Sequence, residues 1–185
     1  ITNNQIIIAT KKILDFHGYK YDLTGVINLD NLLNLPDYKT NENIYFTLVN
    51  LIYKTQKQFI LQTYNPENQL WDFIKKNCPI EFLNQELASR QQYQYPPYFQ
   101  LVKLTYQNES EQKCIQETDN IKLYATRYAL HVLGPSPCFI LKIRNKYQYQ
   151  LIVKIQNKKQ KDQLRSILSI LPKGWKIDVD PISLI

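Results

Sequence analysis

Residues 5–9, Gln-Ile-Ile-Ile-Ala, form a short unbroken apolar run, the pattern of a parallel strand buried on both faces. Residues 23–29, Leu-Thr-Gly-Val-Ile-Asn-Leu, predict a second such strand, and Phe59-Ile60-Leu61 a third. Between them Ile44, Leu48, Leu51 and Ile52 make a helical stripe over Asn43 to Lys54. The first 64 residues therefore read as a piece of a parallel α/β sheet. Asn65-Pro66 has the chemistry of a helix start, with Leu70, Phe73 and Ile74 on the apolar face that follows. Cys78-Pro79 breaks that helix and opens another, with Leu83 and Leu87 inward. Tyr95-Pro96-Pro97 ends it and marks the main boundary. Tyr95-Pro96-Pro97-Tyr98 serves better as this interdomain stop than as a polyproline ligand.

Beyond the prolines the period changes to two. Val102, Leu104 and Tyr106 point one way, and Leu101, Lys103 and Thr105 the other. Cys114, Thr118, Ile121, Ala125 and Tyr128 give an amphipathic helix. Phe139, Leu141 and Ile143 alternate with Lys142 and Arg144, and Tyr147, Tyr149, Leu151, Val153 and Ile155 alternate with Gln148, Gln150 and Lys154. Leu164, Ile167, Leu168 and Leu171 predict a helix, and Trp175, Ile177 and Val179 a last strand. The expected order is β-α-β-β-β-α-β, an α+β sheet with helices on one face. The whole chain thus divides into an α/β part (1–64), connecting helices (65–98) and a small mixed-sheet domain (99–185).

Composition narrows the class. With 44% hydrophobic and 21% charged residues the chain can build a core, and no window approaches a membrane-spanning length. It starts at Ile1 and contains no Met, which fits a processed product or an internal piece. Its 22 Ile, 19 Lys and 16 Asn against 4 Gly, 4 Ala and 4 Arg point to AT-rich codons, as in an endosymbiont, a parasite or an organelle. Cys78, Cys114 and Cys138 match no zinc spacing and read as free thiols of a reducing compartment, either a bacterial-type cytoplasm or a plastid stroma. His17 and His131 lack ligand-spaced neighbours and read as structural. No phosphate-binding glycine loop occurs, and no metal or cofactor is expected.

Charge adds the one strong chemical signal. The net charge is +7, yet residues 142–176 alone carry +9, leaving −2 for the rest. The cations are Lys142, Arg144, Lys146, Lys154, Lys158, Lys159, Lys161, Arg165, Lys173 and Lys176, with Asp162 the single acid. Strand alternation is expected to gather Lys142, Arg144, Lys146 and Lys154 on one face, adjoining Lys158, Lys159, Lys161 and Arg165. Tyr147 and Tyr149 lie among these charges, although core packing is their default. Cations interleaved with aromatics suit single-stranded nucleic acid, and equally an acidic protein surface. A solvated face enriched in Lys by codon usage is the plain alternative.

Six blocks carry a family resemblance. They are Gln-Thr-Tyr-Asn-Pro-Glu (62–67), Glu-Leu-Ala-Ser-Arg (86–90), Tyr-Pro-Pro-Tyr (95–98), Val-Leu-Gly-Pro-Ser-Pro (132–137), Arg-Asn-Lys-Tyr-Gln-Tyr-Gln-Leu (144–151) and Asp-Val-Asp-Pro-Ile-Ser-Leu (178–184). In order and spacing they resemble the C-terminal part of the primosomal replication-restart helicases, the PriA (primosomal protein N′) family. Residues 25–38 resemble the segment of the second helicase lobe just before its last motif. The resemblance implies a degenerate lobe remnant followed by the family's C-terminal domain, which is associated with DNA and with the acidic tail of single-stranded-DNA-binding protein.

The departures are as informative. The family's Gly-Thr-Gln start falls on Ala9-Thr10-Lys11, and the motif that follows is one residue short over Ile13-Leu14-Asp15-Phe16. The last motif, Gln-x-x-Gly-Arg-x-Gly-Arg, falls on Asn50-Leu51-Ile52-Tyr53-Lys54-Thr55-Gln56-Lys57. Tyr53 and Gln56 replace its glycines, and Lys54 and Lys57 its arginines. Lysine cannot reproduce the planar two-oxygen recognition of a phosphate by arginine, and losing an arginine finger lowers rate on the order of 10³-fold or more. The expectation is a non-catalytic, PriA-like binding or scaffold module. Two other readings stay open: the DNA- or tail-docking end of a working replication-restart helicase, and a recruited linker subunit of a large plastid-type assembly.

Overall fold

The computed structural model describes residues 5–184. By compactness the chain divides into Ile1–Gln85 and Glu86–Ile185.

In the first unit, β1 (Tyr21–Val26) pairs in parallel with β2 (Thr55–Leu61). A short helix α1 (Asp30–Leu33) and the longer α2 (Thr40–Lys54) supply the crossover that parallel pairing requires. Ile44, Tyr45 and Leu48 of α2 are fully buried with Leu29, Leu70, Trp71 and Phe82. The expected apolar stripe is therefore real, but its core is as much aromatic as aliphatic: Phe82 stacks on Tyr45 with ring centroids 4.1 Å apart.

Three expectations for this unit need correction. Residues 5–9 form no strand, and Ile6 and Ile8 are 93% and 96% exposed. An apolar run becomes a buried strand only where neighbours cover both faces, and among the described residues the sheet has two strands. The next helix, α3 (Gln69–Lys76), starts three residues later than Asn65-Pro66 suggests. Asn68 is its N-cap, accepting from the Leu70 amide at 3.0 Å, while the Asn65 carbonyl accepts from Trp71 Nε1. In α4 (Pro79–Gln92) the buried side chain is Phe82, whereas Leu83 and Leu87 are each 38% exposed. The boundary between the units falls inside α4.

The second unit contains β3 (Gln100–Asn108), α5 (Glu111–Arg127), β4 (His131–Ile143), β5 (Lys146–Ile155), α6 (Lys158–Leu168) and β6 (Trp175–Val179). The order is β-α-β-β-α-β, one strand fewer than expected, with β4 running across thirteen residues. All neighbours are antiparallel in the spatial order β4-β5-β3-β6, the ferredoxin-like arrangement. Val102, Leu104, Leu151, Val153 and Ile155 pack beneath Ala125, Leu164 and Ile167 of the two helices.

The central strand is buried on its other face too, with Leu101 at 0% and Thr105 at 6% exposure. Near one end, residues 93–95 follow α4 and meet Lys154 and His131. Elsewhere the C-terminal residues cross the face, where the Leu184 carbonyl accepts from Lys103 Nζ at 3.1 Å and from Gln150 Nε2 at 3.4 Å. The chain is thus mixed: a small parallel α/β sheet followed by an α+β domain with both helices on one side.

Candidate nucleic-acid interface

The expected charged face is not one surface. Lys142, Arg144 and Lys146 sit at the tip of the β4–β5 hairpin and are exposed. Arg144 and Asn145 form its two-residue turn with φ of 47° and 64°, as the tight hairpin turn demands. Lys142 Nζ lies 4.5 Å from the Tyr147 ring centroid. Lys158, Lys159, Lys161 and Arg165 follow the opposite end of the ten-residue β5. That strand separates its two ends by roughly 30 Å.

Lys154 belongs to neither group. It is 4% exposed, so the expectation that it shares the solvent face is corrected. Its Nζ donates to the Tyr93 carbonyl at 2.5 Å and lies 3.9 Å from the Tyr95 ring centroid. Burial pushes its ammonium pKa below the ordinary lysine value. Alternation along β5 does point Lys154 away from Leu151, Val153 and Ile155, but that second face is itself covered.

The hairpin departs from simple alternation as well. Pro137 pairs with Tyr149 and Lys142 with Tyr147, so residues 138–141 stand against the single Gln148. Such a bulge re-aims side chains, and Phe139, Ile140, Leu141 and Ile143 are 65%, 58%, 38% and 45% exposed. Tyr149 is partly buried and its hydroxyl donates to Glu111 at 2.8 Å, an interaction that raises its pKa.

On α6, Asn157 caps the helix and accepts from the Gln160 amide at 3.0 Å, while the Gln160 side chain reaches back to the Gln156 amide at 2.8 Å. Leu164 and Ile167 face the core. Lys158, Lys161 and Arg165, spaced by three and four, share the outer side. The first turn holds no acidic residue, although the positive end of a helix favours one. Arg165 meets Asp162 at 3.3 Å in an exposed pair.

The residues expected to hold the degenerate motif span the junction of α2 and β2. Asn50, Tyr53 and Lys54 lie in the last turns of α2, and Gln56 and Lys57 open β2. Lys54 Nζ donates to the Phe16 carbonyl at 2.5 Å, and Lys57 pairs with Asp22 of β1 at 3.2 Å. Tyr53 is 80% exposed, with Lys20 Nζ 5.6 Å from its ring centroid. Among the described residues no three His, Cys, Asp or Glu side chains are grouped to hold a metal, and no helix is long and apolar enough to cross a membrane.

A ferredoxin-like sheet with a cationic helix on its outer layer defines an α+β module. A model of the primosomal protein N C-terminal domain matches residues 91–182. Over 173 residues the chain is 32% identical to replication restart protein PriA of Synechocystis sp., covering 88% of this chain and 21% of that protein. Over 200 residues it is 30% identical to PriA of Borreliella burgdorferi, covering 97% and 29% respectively. For PriA of Bacillus subtilis the identity is 27%, with 95% and 22% covered. The chain belongs to the PriA family, matches its C-terminal region, and spans under a third of the length of these relatives.

Proposed function

We propose that this chain is a non-catalytic PriA-like module whose basic C-terminal domain docks single-stranded nucleic acid. In this reading residues 1–64 are the degenerate second helicase lobe, 65–98 the connecting helices, and 99–185 the docking domain. The observation that carries it is the outer side of α6, where Lys158, Lys159, Lys161 and Arg165 are all exposed and only Asp162 opposes them. Phosphates bind such a surface by releasing counterions, and no base-specific geometry is required. The family match supports replication restart as the setting. Support for the loss of catalysis is local: Lys54 and Lys57, at the family's arginine positions, are engaged by Phe16 and Asp22.

The hairpin favours a second docking surface, for protein. Phe139, Ile140 and Ile143 expose apolar surface beside Lys142, Arg144 and Lys146, and aliphatic groups contribute little to binding phosphates. An acidic protein surface with apolar anchors fits that tip. A single-stranded-DNA-binding protein and a scaffold role as linker in a larger assembly are both compatible with it. The three free thiols suit a reducing compartment, bacterial cytoplasm or plastid stroma.

The test is charge reversal on α6, with Lys158→Glu, Lys161→Glu and Arg165→Glu combined. Oligo(dT) affinity is followed by anisotropy across a salt series. The log–log salt slope should fall by about 2, at about 0.7 for each phosphate no longer neutralised. An unchanged slope and affinity would refute the docking role of α6.

A further inference from the structure

We infer that Tyr128 is a base-stacking platform that gives the α6 face its preference for unpaired over duplex nucleic acid. This rests on the proposed reading of α6 and adds the group that reads the base. A groove of roughly 530 Å³ runs between the end of α5 and the outer side of α6. Its lining is Tyr128, Lys158, Lys159, Asp162, Gln163 and Ser166, with no aliphatic residue. The groove is open and shallow, as suits a strand laid across a surface rather than an enclosed ligand, and two lysines line it against a single carboxylate.

Tyr128 is positioned rather than loose. It caps α5, its amide donating to the Ala125 carbonyl at 3.1 Å. Its ring meets Tyr124 edge-on, with centroids 5.5 Å apart and planes at 62°. Tyr124 in turn packs against the sheet core. Tyr128 is 37% exposed, leaving part of its surface to the groove. Lys158 and Lys159 stand across from it to receive phosphates. The carboxylate in the groove, Asp162, is paired with Arg165, which lessens its repulsion of an anion. Gln163 offers an amide to base edges.

The chemistry separates two kinds of polynucleotide. Phosphates are present in single and double strands alike, so the lysines act on both. A free base face exists only in an unpaired strand, so stacking acts on that form alone. One stacked base corresponds to a loss of about five- to a hundredfold in affinity when the ring is removed.

The experiment compares labelled oligo(dT) with a duplex of equal length, using the full chain. Tyr128→Ala should weaken oligo(dT) binding by that factor and leave duplex binding unchanged. Tyr128→Phe should retain wild-type binding, and Lys158→Glu with Lys159→Glu should weaken both substrates. Unchanged duplex affinity also reports that Tyr128→Ala remains folded. The platform is refuted if Tyr128→Ala leaves oligo(dT) binding intact, or weakens both substrates equally. It is refuted as well if poly(Glu) depends on Tyr128 as oligo(dT) does, since the groove would then serve acidic polypeptide. If α6 charge reversal weakens oligo(dT) binding while Tyr128→Ala does not, the α6 reading stands and the platform alone falls. If the wild type binds neither polynucleotide, both fall.

Discussion

Lys154 offers the sharpest separation of a structural cation from a binding one. By sequence it belongs with the partner-binding lysines, yet its ammonium is enclosed by the Tyr93 carbonyl and the Tyr95 ring. Consider Lys154→Met and Lys154→Ala together. Both remove the charge, and both deprive the Tyr93 carbonyl of its donor. They differ in the stem, because Met keeps three heavy atoms that Ala lacks. At about 0.8 kcal/mol per buried methylene, Ala should be less stable than Met by about 2 kcal/mol. Relative to wild type, Met loses a charge-assisted hydrogen bond of about 1.5–3 kcal/mol and a cation–π interaction of up to about 2 kcal/mol. It also escapes the several kcal/mol of desolvating an ammonium, so the balance should lie within about 1 kcal/mol of wild type. Hydrogen exchange of the β5 amides measures the difference within this unit. Oligo(dT) affinity should change by no more than about twofold in either variant, since no exposed charge is removed. Equal stability of the two variants would refute the packing argument. Weakened oligo(dT) binding by Lys154→Met, comparable with α6 charge reversal, would return Lys154 to the binding surface.

The same residue predicts a pH response. Burial lowers its folded-state pKa, so between that value and about 10.4 the unfolded chain binds more protons, and wild-type stability should rise with pH relative to Lys154→Met; a flat difference across that window would contradict it. Gly134 has φ of 101°, and a Cβ there would stand 2.7 Å from the Gln150 carbonyl oxygen. Gly134→Ala should therefore lose about 3 kcal/mol, read as reduced amide protection in β4 and β5, from left-handed strain and backbone overpacking together. A Cβ at Gly25 would meet nothing within 4 Å, so Gly25→Ala is the neutral control. ATP with Mg²⁺ should give no calorimetric binding signal, because the sequence has no phosphate-binding glycine loop; a micromolar dissociation constant would overturn the non-catalytic reading.

Local periodicity carries most of the fold. The two parallel strands, expected at 23–29 and 59–61 and found at 21–26 and 55–61, the stripe on α2 and the helix–strand alternation after residue 99 are all announced by spacing, with bounds shifted by a few residues in the strands. The failures share a physical origin. Whether a strand face is covered depends on segments far away in sequence. The residues that cover the second sheet face, 93–95 and 181–184, have no period of their own. Nothing in Gln148-Tyr149-Gln150 announces that Leu184 will accept a hydrogen bond from Gln150. The bulge at 138–141 is equally hidden, because Phe139, Leu141 and Ile143 alternate as buried residues would. Pro135 and Pro137 are the available warning, since proline interrupts a regular ladder. Tyr128 is legible only as one apolar position of a helix. Its placement beside Lys158 and Lys159 needs the tertiary fold.

Codon bias cannot by itself account for the pattern of lysines. Such bias raises Lys everywhere and is blind to position, so it predicts cations spread among ordinary environments. In the first unit Lys54 and Lys57 fit that prediction, each engaged with a nearby oxygen. On α6 the situation is reversed. Three lysines occupy the opening of a helix, where a cation is unfavourable by about the 0.3–1 kcal/mol that an acid would contribute. Asn157 and Gln160 nevertheless make reciprocal cap bonds at the same turn, so the helix start is specified by its capping while its charge opposes it. A local choice that opposes stability within an otherwise consistent segment is what a binding surface looks like. Binding a polyanion would convert that unfavourable charge into affinity, and the helix would gain stability on binding. Protection of the α6 amides should therefore increase on saturation with oligo(dT), which a merely solvated lysine face would not show.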